Sequence, residues 1–133
     1  MEAHTVAVLN SADDVIAALR DALDEAGFRV VTAHVSEIQS GTLDLVAFVE
    51  TYDPQVIVYD LPRPIERHWN FLRLVRSARC LRDRCWVLTT IDKAAVEAVI
   101  VPGVMSEIVL GEPRTLDHVV DAVRQCLTAR IAV

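Results

Sequence analysis

Val56-Ile57-Val58-Tyr59-Asp60-Leu61-Pro62-Arg63-Pro64 is a short apolar run that ends on one carboxylate and then breaks into a proline-stiffened loop. Apolar residues on both sides of so short a run predict a strand buried on both faces. Asp60 is thereby delivered to the carboxyl end of a strand. In an open α/β sheet, that edge is where ligands and chemistry collect.

Working outward, the same alternation of short apolar strands and amphipathic helices fills the chain. Thr5 to Leu9 reads as the first strand. Ser11 is expected to cap the helix after it, with Asp14 as an acidic variant of the capping box. Val15, Leu19, Ala22, Leu23 and Ala26 fall on one face of that helix, and Gly27 ends it. Arg29 to Ala33 is the second strand and Thr42 to Thr51 a second helix presenting Leu45, Val46 and Val49. Asp53-Pro54 turns the chain into the third strand, Gln55 to Tyr59, with Asp60 at its carboxyl end. A third helix runs from about Glu66 to Ala78 with Trp69, Leu72 and Val75 inward. Cys85 to Thr89 is the fourth strand and Lys93 to Ile100 the fourth helix. Pro102-Gly103 breaks the chain before a fifth strand, Glu107 to Leu110. Thr115 opens a last helix with Leu116, Val119, Val120, Val123 and Leu127 on its inner stripe.

This pattern is (βα)5 in a single domain spanning 1–133. Helical connections between doubly buried strands imply a parallel sheet covered on both sides, and right-handed crossovers leave few topologies. The turn after the first strand is Asn10-Ser11-Ala12-Asp13, so neither a G-x-G-x-x-G fingerprint nor a P-loop is present. What remains is the doubly wound, flavodoxin-like order 2-1-3-4-5, with a crevice over the ends of strands one and three.

The bulk numbers exclude several classes. The 133 residues carry 53% hydrophobic and 24% charged side chains, which fits a globular core. A net charge of −6 argues against direct binding to nucleic acid or to an anionic membrane. Glu97, Pro102 and Glu107 interrupt the best apolar stretch, so no membrane span is expected. Cys80, Cys85 and Cys126 are odd in number and no secretory leader is visible, so they are expected to be reduced thiols in a cytoplasmic protein. Cys80 and Cys85 lack a second pair for a closed zinc site.

The residues in register resemble a bacterial response-regulator receiver domain over nearly the whole chain. Asp60 matches that family's phosphate-accepting aspartate, Pro64 the proline four residues later, and Leu88-Thr89 the end of its fourth strand. Phe48 to Pro54, Trp69 to Arg76 and Gly27-Phe28 follow the family's rhythm. The resemblance implies a signalling module of the two-component, phosphorelay type that meets a histidine kinase or an effector protein. It implies no enzymatic turnover of its own. With no output domain after Val133, the effector is expected to be a separate polypeptide or a domain cut away from this chain.

Three positions depart from the family. Its acidic pair after strand one, which holds magnesium, is here Asn10 and Ser11. Its lysine before the proline after strand five is here Glu112. Its aromatic switch residue in strand five is here Val109. Magnesium is a hard ion held by carboxylates, phosphate oxygens and water. Phosphoryl transfer relies on cations that neutralise the phosphate oxygens. An amide, a hydroxyl and a glutamate cannot supply that charge, and a phosphorylated Asp60 would face Glu112 with like sign. The expected protein is an atypical receiver with no cofactor beyond weakly held Mg2+. Asp13 or Asp14 are the candidate substitutes for the missing acids, and Arg63 for the missing lysine. The bland alternatives are helix-dipole charges for the two acids and a solvated or paired surface group for the arginine.

Thr89 and Thr90 either sense Asp60 through a hydroxyl or cap the helix near Asp92. The fourth helix is apolar nearly all round, so Val96, Val99 and Ile100 are expected to form an interface, including a homodimer through that helix, the fifth strand and the last helix. Trp69 and Trp86 read as core, and His68 as a solvated surface group. The competing readings are a conventional receiver phosphorylated on Asp60 and a small flavodoxin-like nucleotide-binding protein.

Overall fold

Five apolar runs pair in parallel, as buried strands joined by helices should. The computed structural model describes residues 4–90, 93–99, 108–111 and 116–131. The strands are β1 (Thr5–Asn10), β2 (Arg29–His34), β3 (Val56–Asp60), β4 (Cys85–Thr89) and β5 (Ile108–Gly111), laid out as β2-β1-β3-β4-β5. The helices are α1 (Asp13–Glu25), α2 (Val35–Gln39), α3 (Leu45–Tyr52), α4 (Ile65–Val75), α5 (Arg79–Arg82), α6 (Lys93–Val99) and α7 (Leu116–Ile131). The α/β class with a helix-covered parallel sheet is the one expected.

The two-residue period of the strands divides the core into two layers. Ala7, Ile57, Tyr59, Trp86 and Leu88 face one way, where α2 to α6 cover them. Val6, Val8, Val56, Val58 and Val87 face the other way, against Leu19 and Leu23 of α1 and Val119 and Val123 of α7. Most of these side chains are completely buried, each contributing roughly 1.5–3 kcal/mol of transfer free energy. Trp69 and Trp86 are core, as expected.

Local chemistry moves several boundaries. Ser11 does not cap α1. The N-cap is Ala12, with no side-chain hydrogen bond, and the Asn10 carboxamide accepts from the amides of Ser11 and Ala12 in the turn just before the helix. Asp44, rather than Thr42, starts α3, accepting from the amides of Val46 and Ala47 at 3.0 and 3.3 Å. Replacing Asp44 by Ala is expected to cost about 1 kcal/mol, read as a lowered melting temperature. The helix after β3 ends at Val75, and a separate turn of helix, α5, follows. The short α2 had no counterpart in the sequence reading. Gly27, at φ +94°, ends α1 in a backbone conformation that side chains disfavour. Pro102, Gly103, Glu107 and Thr115 lie outside the described residues.

Two further expectations are corrected. Cys85 and Cys126 are not free thiols: they are joined as a disulfide between β4 and α7, with Cα atoms 6.0 Å apart. The register places the first residue of β4 under α7, a proximity that a sequence separation of 41 conceals. Among the described residues only Cys80 is free. Val96 is fully buried and packs on the sheet, so it is core and not interface. The outer side of α6 is Ala94, Glu97 and Ala98, with Val99 half-buried; Ile100 lies outside the described residues.

Candidate functional site

Asp60 is the last residue of β3 and stands in register with Thr89, the last of β4. Both side chains lie on the same face, and the Thr89 hydroxyl donates to Asp60 Oδ1 at 3.1 Å. The next pair is locked by backbone and side chain together. Leu61 N donates to Thr89 O at 2.9 Å, and the Thr90 hydroxyl donates to Leu61 O at 3.2 Å. Thr89 therefore touches the acid, while Thr90 fixes the loop that follows it. That loop runs through a cis Arg63–Pro64 bond, and Arg63 is exposed.

Burial holds the Asp60 carboxyl above the usual carboxylate range, and the Thr89 hydrogen bond opposes this in part. A carboxylate with a raised folded-state pKa binds its proton more tightly in the native chain than in the unfolded one. Stability is then lost as pH rises from the unfolded value, about 3.9, through the folded one. Asp60→Asn keeps an acceptor for Thr89 and removes the buried charge. It is expected to melt higher than the native chain at neutral pH, with the advantage vanishing below pH ~4. An unchanged difference across that range in pH-dependent melts would contradict this.

Next to Asp60 but on the other face lies Tyr59. Its ring is fully buried 6.2 Å from that of Trp86, and its hydroxyl meets no hydrogen-bond partner. Burial, aided by the Asp60 charge, pushes the phenol far above its ordinary range. An aromatic in a buried strand reads simply as core, so nothing in the local pattern points to this orphan hydroxyl.

Asn10 ends β1 and is buried, at 4% exposure. Its Oδ1 accepts from Ser11 N at 2.7 Å and from Ala12 N at 3.0 Å. The side chain is spent on holding its own turn, as asparagine commonly does, and Ser11 is exposed. Asp13, the first candidate substitute, pairs with His34 Nε2 at 2.9 Å. His34 ends β2, and β1 lies between β2 and β3. Two strand spacings, roughly 10 Å, separate the β2 and β3 ends, so Asp13 leans away from Asp60. Asp14 is exposed on the first turn of α1. Glu112 lies outside the described residues.

The described residues do not fit a magnesium ion. Asp60 is the single carboxylate that the strand ends bring to the crevice from the described residues. Among those residues no group of three or more His, Cys, Asp or Glu side chains is disposed to hold a metal. On the far side of the crevice, His68 of α4 meets Gln39 of α2, Nδ1 to Nε2 2.6 Å. His68 is a partly exposed surface group, and burial with the neighbouring Arg67 lowers its pKa.

Comparison with solved structures places this architecture. A sensor protein from Polaromonas sp. JS666 superposes with a TM-score of 0.76 at 14% identity, covering 95% of this chain and 97% of that one. The chemotaxis protein CheY4 of Vibrio cholerae gives 0.72 at 15%, over 94% and 99%. A response regulator from Thermotoga maritima gives 0.66 at 19%, over 96% and 99%. The fold is that of the CheY-like response-regulator receiver domains. No protein-family model and no curated protein matches the chain by sequence. Among the described residues no helix is long and apolar enough to cross a membrane.

Proposed function

We propose that this chain is a receiver-type signalling module in which the phosphoryl-accepting chemistry at Asp60 has been lost and protein–protein interaction retained. The observation that carries the reading is the commitment of the two polar groups nearest the missing acids. Asn10 is bonded to its own turn, and Asp13 to His34 on the far side of β1. Glu112, where the receiver pattern places a lysine, adds a charge of the wrong sign.

On this reading the whole of 1–133 is one receiver-like unit with the doubly wound order 2-1-3-4-5 and without turnover of its own. Its partners are proteins: a histidine kinase or an effector. Arg63 is the one candidate left to stand in for the lysine. A homodimer through α6, β5 and α7 would present Ala94, Ala98 and Val99 rather than Val96. Switching requires a ligand that binds one conformation better than the other, and here that ligand is not an aspartyl phosphate.

The test is incubation with a small phosphodonor and Mg2+, followed by intact-mass measurement. The expected result is no +80 Da species (about one phosphoryl group). Phosphorylation that disappears in Asp60→Asn would make the chain a conventional receiver and overturn the proposal.

A further inference from the structure

The net charge of −6 hides a sharp division. Residues 63–84 carry seven of the 13 basic side chains, all arginine, and of the 19 acidic ones only Glu66 and Asp83. That segment is net +5, and the remainder of the chain is net −11. The segment folds as α4 and α5, on one side of the sheet. Helical periodicity sends Ile65, Trp69 and Leu72 into the core and turns Arg67, Asn70, Arg73 and Leu74 outward. Arg79 and Arg82 on α5 are exposed as well. Among the described residues, no ion pair engages Arg67, Arg73, Arg79 or Arg82.

Leu74 lies among these charges and is 72% exposed, the most exposed large hydrophobic side chain described. Arg67 and Leu74 are two helical turns apart on nearly the same line of α4, about 10 Å. Phe71, half-buried, lies one turn before Leu74. An apolar side chain left in water amid unpaired guanidinium groups is arranged as an interface centre with a charged rim.

We propose that the α4–α5 face docks an acidic segment of a partner protein, one that presents carboxylates around an apolar side chain. Guanidinium groups take carboxylates in a bidentate fork, and Leu74 offers the apolar contact between them. A second copy of this chain fits less well. Its acidic α1 packs on the opposite side of the sheet, so joining α1 to the α4–α5 face gives an open, non-closing chain of copies. A nucleic acid would meet this one face favourably but the net −11 of the remaining residues unfavourably. The proposal does not depend on the chemistry at Asp60.

The test uses the full chain and two fluorescein-labelled synthetic peptides of equal negative charge. One is built of glutamates flanking leucines, the other of glutamates without leucine. Anisotropy should show tighter binding of the leucine-containing peptide, weakening as salt is raised. Arg73→Glu with Arg79→Glu should weaken both peptides at least about tenfold, and Leu74→Ser should erase the difference between them. Arg20→Glu on α1 should change neither. If the double reversal does not fold, Arg73→Gln with Arg79→Gln and the salt series on the native chain read the same interaction. Four results would overturn the proposal: no peptide binding, binding indifferent to these changes, stronger binding of duplex DNA than of the peptide, or self-association that the reversal abolishes.

Discussion

Trp86→Ala is expected to lower the unfolding free energy by about 3–5 kcal/mol, read by urea denaturation. Trp86 is fully buried at the centre of the sheet. Its indole N–H donates to Leu81 O at 2.8 Å, tying β4 to α5. The Arg76 guanidinium lies 5.2 Å from the centroid of its ring, a cation–π contact that helps keep a cation in the core. Truncation therefore opens a cavity, leaves the Leu81 carbonyl with Arg84 N, at 3.3 Å, as its remaining donor and strips the aromatic cover from a buried charge. Tyr59→Phe is the contrasting variant beside it. It removes a hydroxyl that has no partner, so stability should be unchanged or raised. A small loss for Trp86→Ala together with a large loss for Tyr59→Phe would show that this side of the core is packed differently.

Asn10→Asp and Ser11→Asp, combined with Glu112→Lys, are expected to raise Mg2+-dependent phosphoryl uptake from a small donor at least about 100-fold over the native chain. An aspartate at position 10 can still accept from Ser11 N and Ala12 N while adding charge at the end of β1, beside Asp60. The lysine reverses the sign of Glu112 and neutralises developing phosphate charge. Intact mass against time measures the gain. If the restored chain takes up no more phosphate than the native one, the missing charges are not what separates this crevice from a functioning one.

Most of this architecture is legible in the sequence because its strands are short and apolar on both sides. Cys85–Thr89 stands where its apolar run places it and Val56–Asp60 one residue later than expected, and the prolines after Asp60 assign it to a strand end. Helix starts were less legible. Ser11 and Asn10 are both good capping residues, and only the fold shows that Asn10 holds the turn before α1 while the N-cap falls on Ala12. The pairing of Asp13 with His34 joins residues on separate elements, as does the Cys85–Cys126 bond. Neither leaves a local periodicity to read. Val96 reads as surface in the sequence because the neighbouring alanines make α6 look apolar all round, whereas Ala94 and Ala98 lie on its outer face. The arginines of α4 and α5 were visible throughout, but a net charge averages over them.

The most direct measurement on Asp60 is a Mg2+ titration of the native chain, followed by the amide resonances of Asp60, Leu61 and Thr89. Three carboxylates around the ion would give saturable shifts at all three; one carboxylate and an amide already in use give none of that kind. The structure predicts no saturable response to Mg2+ in the native chain and a clear one once aspartates replace Asn10 and Ser11. Saturable binding by the native chain, lost in Asp60→Asn, would contradict the account.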